Sequence, residues 1–428
     1  MTRIERTSSA DTPVDADVLI IGAGIGGLTL ALCLHAAGIA CRIYESTARI
    51  EQVGVGINVL SPAVAVLARL GLEPALAACA ITTREASFFN RFGQLIYTEP
   101  LGRHSGLAHP QFSIHRGDLQ RVLLDAVLER LGPDRVVTGA RCSGFSQDAA
   151  AVTARFGDHG IASGSLPAAR GHLLIGCDGI HSAVRKQLHA AEGPPRYSGV
   201  NMWRGVTRCQ PILSGATMVR AGWITTGKMV IYPIRDNIDG DGAQLMNWVA
   251  EIETAQHSSR DWSRPGQLAD FLPAFADWHF DWLDVPALIL GADKIYEYPM
   301  VDQDPLPWWT AARVTLLGDA AHPMVPRGSN GAGQSILDAE SLATCLRREG
   351  VTPAALKAYE ASRLGPTTLI VLTNRQSPPD AIIGEVYRRN GDKPFNRIED
   401  IISQSEMKAL SDGYKSITAA RPAADAVS

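Results

Sequence analysis

Val314-Thr-Leu-Leu-Gly-Asp319-Ala-Ala-His-Pro-Met-Val-Pro-Arg-Gly-Ser-Asn-Gly331-Ala-Gly-Gln-Ser-Ile-Leu-Asp338 reads as a strand, a crowded loop and a helix start. Its apolar, β-branched run stops at Gly318-Asp319, and helical spacing resumes at about Ala332, with Ile336, Ala339 and Leu342 on one side. A carboxylate at a strand end is placed to accept hydrogen bonds from a polyol. The free N–H groups of a helix start favour a ligand that is, or becomes, anionic. A flavin with its ribityl chain meets both conditions. An ordinary connection shaped by Gly and Pro would look the same locally, so two distant segments decide.

The first is Asp17-Val-Leu-Ile-Ile-Gly22-Ala-Gly24-Ile-Gly-Gly27-Leu, a buried strand followed by G-x-G-x-x-G and an apolar helix. Cys41-Arg-Ile-Tyr then forms a second strand ending at Glu45. The glycines permit a tight turn and close approach to a pyrophosphate at the helix N-terminus, while an acid after the second strand binds ribose hydroxyls. Glu45, rather than a base, fits FAD or NAD better than NADP and does not separate the first two. The second segment, His172-Leu-Leu-Ile-Gly-Cys-Asp178-Gly179, places an Asp-Gly turn after another buried strand and before a basic helix.

Between them, Gln52-Val-Gly54-Val-Gly56-Ile-Asn58 precedes a helix over Pro62–Leu70. Its two glycines either let backbone approach a flat ring or lead plainly into the helix. Arg116, near the start of an amphipathic helix, could reach a phosphate, or pair on the surface with Asp118 or Glu129.

Composition sets the outer bounds. The 428 residues are 46% hydrophobic and 20% charged, enough for two intimately packed domains. A net charge of −4 offers nucleic acid no footprint. No apolar run reaches transmembrane length and Met1–Asp17 lacks a signal-peptide core, so a cytoplasmic protein without membrane partners is expected. The seven cysteines form no C-x-x-C pair, and neither a disulfide framework nor a metal site is expected.

Residues 1–16 read as a disordered arm, as do the last dozen. The span from about 135 to 169 reads as a small β-excursion. From about 200 to 299 β-like segments run through Met202–Val206, Gly222–Pro233 and Leu245–Glu251, and a helical piece carries Phe271, Phe275, Trp278 and Trp282. Six of the eight tryptophans fall here, so the second sheet either faces a flat apolar ligand or is simply an aromatic core.

The three motifs in this order resemble the class A flavoprotein monooxygenases, the aromatic hydroxylases with the p-hydroxybenzoate hydroxylase fold. The resemblance spans roughly residues 15–375. Gly54–Asn58, Ser113–Gln120, Met202–Thr207 and Tyr298–Pro307 look most like the subgroup of 5-methylphenazine-1-carboxylate monooxygenase and the salicylate-hydroxylase-like enzymes.

The resemblance implies an α/β fold: a Rossmann-like, GR2-type FAD-binding domain (17–80, 105–190, 300–375) interleaved with a β-sheet substrate domain (81–104, 191–299). A helical, polar tail over 376–428 completes it. The resemblance also implies FAD along Gly22, Gly24 and Gly27, with Glu45 on the adenosine ribose and Arg116 toward the pyrophosphate. Asp319 would bind the ribityl chain, Gly331, Ala332 and Gly333 would approach the flavin pyrimidine edge, and Gly56 would lie close to the cofactor. Asp178 would be tied to FAD and the pyridine nucleotide. Arg220 and Tyr232 fall where the family places pocket residues, Pro326 lies in the loop beside the flavin, and Arg220 could pair a substrate carboxylate. His322 is a structural hydrogen bonder sooner than a base.

The implied reaction is NAD(P)H-dependent reduction of FAD and addition of O2 to give a C4a-hydroperoxyflavin. One oxygen is then transferred to a small aromatic or heteroaromatic substrate, with decarboxylation where the attacked carbon bears a carboxylate. NADH and NADPH are both open, as are monomer and homodimer. The rivals are an FAD-linked reductase or halogenase of the same fold, an NAD-dependent dehydrogenase, and a non-catalytic flavin-binding regulator. Trp308-Trp309 lacks the W-x-W-x-I-P spacing of the halogenases.

Overall fold

The structure is a computed structural model describing residues 13–51, 54–157, 166–255, 265–376 and 379–418. Most of the expected N-terminal arm, the last ten residues, Gln52-Val53 and Trp262 therefore lie outside the described residues. Asp15 and Ala16 belong to the fold: the Asp15 N–H donates to the Arg170 carbonyl at 2.7 Å, and Ala16 opens the first strand.

Ala16–Ile21 is apolar and buried except at Asp17, as expected of a strand inside a parallel sheet. It pairs in parallel with Cys41–Tyr44 and Ala169–Gly176, and Val314–Leu316 adds in parallel to the latter. The span from 135 to 169 is β-structure, as expected. Its strands Val152–Phe156 and Cys142–Gln147 extend this same sheet antiparallel beyond Ala169–Gly176. Helix Ile25–Ala36 packs against helix Gly331–Glu349, bringing the first and last motifs together.

The second sheet has seven strands, ordered Ala292–Asp302, Arg196–Cys209, Gln244–Glu253, Lys228–Arg235, Thr217–Ala221, Glu85–Phe89, Leu95–Pro100. It begins at Glu85, not 81, since Ile81–Thr83 pairs with Gln111–His115 in a small sheet shared with Gly56–Val59. Gly222–Pro233 is not one strand either. Trp223–Thr226 forms a turn, closed by Thr226 N–H on the Trp223 carbonyl at 3.0 Å, between Thr217–Ala221 and Lys228–Arg235. The expected helix through Phe271 and Trp282 is two short helical turns followed by a two-stranded ribbon.

Side chains alternate across this sheet. Trp203, Val219, Met229, Ile231, Met246, Trp248 and Ala250 enter a core with Phe271, Phe275 and Trp278. Their sequence neighbours Arg204, Arg220, Lys228, Tyr232 and Glu251 fall on the opposite face, toward the first domain. The tryptophans Trp203, Trp248 and Trp278 are thus core, not ligand-facing. After Gln376 the chain docks on the second sheet: Ile382, Ile383, Val386 and Met407 are buried with Phe88, Ile96 and Met218. No helix among the described residues is long and apolar enough to cross a membrane.

Candidate active site

At the first motif the chain turns so tightly that only glycine fits. A Cβ on Gly22, whose φ is +104°, would overlap the Cys177 carbonyl, and one on Gly27 would overlap the Gly22 carbonyl. Gly24, by contrast, faces open space, and the helix it precedes has no side-chain cap, so its first N–H groups are available to an anionic ligand. Glu45 sits over this turn. One oxygen accepts the Ala23 N–H at 2.8 Å, and the other accepts the Thr47 N–H at 2.8 Å and the Ser46 hydroxyl at 3.0 Å.

Asp319 follows the Val314–Leu316 strand in a single 3-10 turn. Its side chain reaches solvent, yet protein surrounds it, so it lies at the bottom of a crevice. Desolvation raises its pKa, with the charges of His322 and Arg116 opposing. The start of helix Gly331–Glu349 is beside it: a Cβ on Gly331 would stand 3.7 Å from Asp319 Oδ1. That helix also lacks a side-chain cap, which leaves the N–H groups around Gly331, Ala332 and Gly333 for a ligand. Arg116 is exposed at the start of helix Arg116–Leu131. Its surface-pairing alternative is weakened, because Asp118 instead bonds Arg235 and lies 3.8 Å from Arg121.

Beneath the crevice is a buried network. Asp338 accepts His322 Nε2 at 2.6 Å, Arg363 Nε at 2.7 Å and the Gly318 N–H at 3.1 Å, while Arg363 reaches Gln334 at 2.6 Å. Burial alone would raise the Asp338 carboxyl, but His322 and Arg363 outweigh it and hold it at about 2. His322 is accordingly a wall of the loop.

Asp178 is turned inward. Its carboxylate accepts Ser182 Oγ at 2.5 Å and the Ala183 N–H at 2.7 Å, capping helix Ala183–Leu188. From that helix Arg185, buried, donates to the carbonyls of Ala320 and Ala321 at 2.9 Å each, which staples the Asp-Gly motif to the Asp319 turn.

A cavity is lined by the polar and charged side chains of Asn58, Arg204, Arg220, Lys228, Tyr232 and Glu251, by the apolar Met202, Val230 and Val249, and by Pro326 and Arg327 of the loop that follows Asp319. Arg204 donates to the Gly56 carbonyl at 2.7 Å, and its Nε is buried without a partner. Burial raises the Tyr232 pKa, with Arg204 opposing. Gly56 is held from the other domain, its N–H on Asn247 Oδ1 at 2.7 Å.

The structure therefore brings Asp319 together with Gly331, and Arg220, Tyr232 and Pro326 together around one cavity. Asp178 joins neither group directly. Arg204, Lys228, Glu251, Arg185 and the Asp338–Arg363 pair escaped the sequence reading. Strand alternation was the available signal for the first three, since each shares a face with Arg220 or Tyr232; nothing local marks the others.

A Rossmann-like sheet, two uncapped helix starts, a carboxylate beside one of them and a second sheet roofing a cavity of mixed polar and apolar lining are the frame of an FAD-dependent oxidoreductase of the p-hydroxybenzoate hydroxylase type. The chain belongs to the FAD binding domain family, which matches residues 15–237. It is 46% identical over 368 residues to the phenazine 1,6-dicarboxylic acid hydroxylase PhzS of Lysobacter antibioticus, covering 85% of this chain and 90% of that one. It is 36% identical to the aurachin C monooxygenase/isomerase of Stigmatella aurantiaca, covering 81% and 85%. Among solved structures, Klebsiella pneumoniae HpxO complexed with FAD and uric acid superposes with a TM-score of 0.75 at 25% identity, covering 93% of this chain and 96% of that one. The protein is an FAD-dependent aromatic monooxygenase, using NAD(P)H and O2.

Proposed function

We propose that this monooxygenase hydroxylates an aromatic or heteroaromatic acid, nearest in kind to the dicarboxylated phenazine named for its 46% identical relative. The observation that carries the carboxylate is Arg204. Its Nη2 is fixed on the Gly56 carbonyl and its buried Nε has no partner, so an arginine that lines the cavity is held in place with one guanidinium donor still lacking an acceptor. Arg220 is the second cation on the same wall, and Tyr232 offers its hydroxyl beside Arg204.

The cofactor assignments follow the crevice. Gly22, Gly24 and Gly27 admit the pyrophosphate, Glu45 takes the adenosine ribose, and Arg116 serves the phosphate region. Asp319 accepts from the ribityl hydroxyls, and the N–H groups at Gly331, Ala332 and Gly333 face the pyrimidine edge. Gly56 approaches the ring through backbone. Asp178 acts at one remove, by setting the helix that carries Arg185. FAD, when bound, supplies the electron transfer from NAD(P)H and the activation of O2. The chain's own part is to fix the ring: Arg204 and Arg220 orient the carboxylate, Pro326 closes the side of the cavity, and the roofing sheet excludes water. The helix dipole at Gly331 favours negative charge on the ring system by roughly 0.3–1 kcal/mol, up to about 2 where partly buried. The same reading places the enzyme in the cytoplasm as a monomer or homodimer.

The test is simultaneous NAD(P)H oxidation and O2 uptake over phenazine carboxylates, salicylates, hydroxynicotinates and anthranilates. One acid should stimulate both rates and yield an oxygenated product, and CO2 release would mark the decarboxylative variant. NAD(P)H oxidation and O2 uptake that no aromatic acid accelerates would overturn the acid as substrate.

A further inference from the structure

Two cations of the cavity wall, Arg220 and Lys228, are held from behind by a residue far outside the matched family region. Asp380, the N-cap of helix Ala381–Asn390, accepts Arg220 Nη1 at 2.6 Å and pairs with Lys228 Nζ at 2.5 Å, and Lys228 also reaches Glu251 at 3.1 Å. All four are buried, and their two cations and two anions balance. Desolvation raises the Asp380 carboxyl, but Lys228 and Arg220 outweigh it and keep it far below the usual carboxylate range.

An independent contact comes from helix Gln404–Thr418. Its Tyr414 hydroxyl accepts Asn330 Nδ2 at 2.7 Å and donates to Asn374 Oδ1 at 2.9 Å. The hydroxyl so fills the space beside Gly328 that a Cβ there would overlap it. Asn330 is the N-cap of helix Gly331–Glu349, so Tyr414 braces the loop that leads into the crevice. The C-terminal helix is itself anchored, through Ser411 and through Lys415 at 2.9 Å, to Glu99 on the edge strand of the second sheet.

We propose that the C-terminal segment completes the active site through two positioning residues, Asp380 for the substrate-side cations Arg220 and Lys228, and Tyr414 for the flavin-side loop. The first half rests on the cavity being the substrate site. Buried ion pairs contribute little net stability compared with apolar packing of the same volume, so stability is a poor reason for three of them beside a cavity. Asp380 instead fixes where the Arg220 guanidinium points and keeps the wall electrically balanced, which limits how tightly an anion is held.

Asp380→Asn in the FAD-loaded enzyme leaves the wall with one excess positive charge and a loosened guanidinium. The KM for an aromatic acid should fall by about tenfold, that for its carboxamide should stay put, and product formed per NAD(P)H should drop several-fold. Equal shifts for acid and amide, or unchanged coupling, would overturn the role. Should Asp380→Asn fail to fold, the charge-balanced Arg220→Gln/Asp380→Asn pair replaces it, and wild-type coupling in that pair would overturn the role equally. Tyr414→Phe should raise the Kd for FAD about three- to tenfold and lower coupling, with little change in Tm; wild-type FAD affinity would remove Tyr414. If no aromatic acid accelerates the wild type, the substrate-side half falls with the proposed function, and the Tyr414→Phe titration still decides the other half.

Discussion

The crevice around Asp319 and the cavity around Arg220 lie side by side and are built in opposite ways. The crevice is made of backbone: two tight turns, two uncapped helix starts and one carboxylate, each within a contiguous motif. The cavity is made of side chains from strands Arg196–Cys209, Thr217–Ala221, Lys228–Arg235 and Gln244–Glu253, plus Asp380 beyond them all. On the proposed reading the backbone-built surface meets the cofactor and the side-chain surface meets the substrate. The second can be changed one residue at a time, so substrate choice is expected to vary there.

The largest expected effect tests whether the crevice is as local as its motifs. Arg363→Ala would strand Asp338 beneath the loop and should cost about 3–5 kcal/mol, seen as a lower Tm. A related dependence is set by pH. The Asp338 carboxyl lies at about 2 in the folded chain against an ordinary 3.8, so its contribution is complete above about pH 4 and is lost as pH falls toward 2. Acid unfolding curves of the wild type and of Arg363→Met should differ in that window, and identical curves would show that the pair does not hold the loop.

Next, Asp319→Ala should leave a folded protein that retains FAD about ten- to a hundredfold more weakly, by the roughly 1.5–3 kcal/mol of a hydrogen bond to a charged group. Normal flavin content in the purified variant would end its ribityl assignment. On the other side of the comparison, Arg204→Gln should raise the KM for the acid substrate about tenfold with kcat less affected, since it removes a binding contact. An unchanged KM would remove Arg204 from the site. The smallest functional effect belongs to Trp203→Phe, which should lower stability by about 1–3 kcal/mol and leave KM unaltered, because Trp203 is stacked on Phe271 at 5.0 Å in the core. A KM change there would return the aromatic cluster to the ligand.

By itself the sequence determined the strand, turn and helix order of the three motifs and a dinucleotide site, while FAD and the interleaved two-domain fold came from the family that those motifs resemble. The motifs follow from local rules: a glycine that must accept a neighbouring carbonyl, an apolar run covered on both faces, an acid at a strand end. Only the tertiary structure decided that Trp203, Trp248 and Trp278 are core, that Asp178 caps a helix, and that Arg185 joins two motifs 135 residues apart. It also decided that Asp380 and Tyr414, in a segment that reads as a polar tail, reach the cavity and the crevice loop. Charge pairing and side-chain contact carry no sequence period. A buried Arg needs an acid, and the chain leaves no local mark of which one, 160 residues away, will meet it.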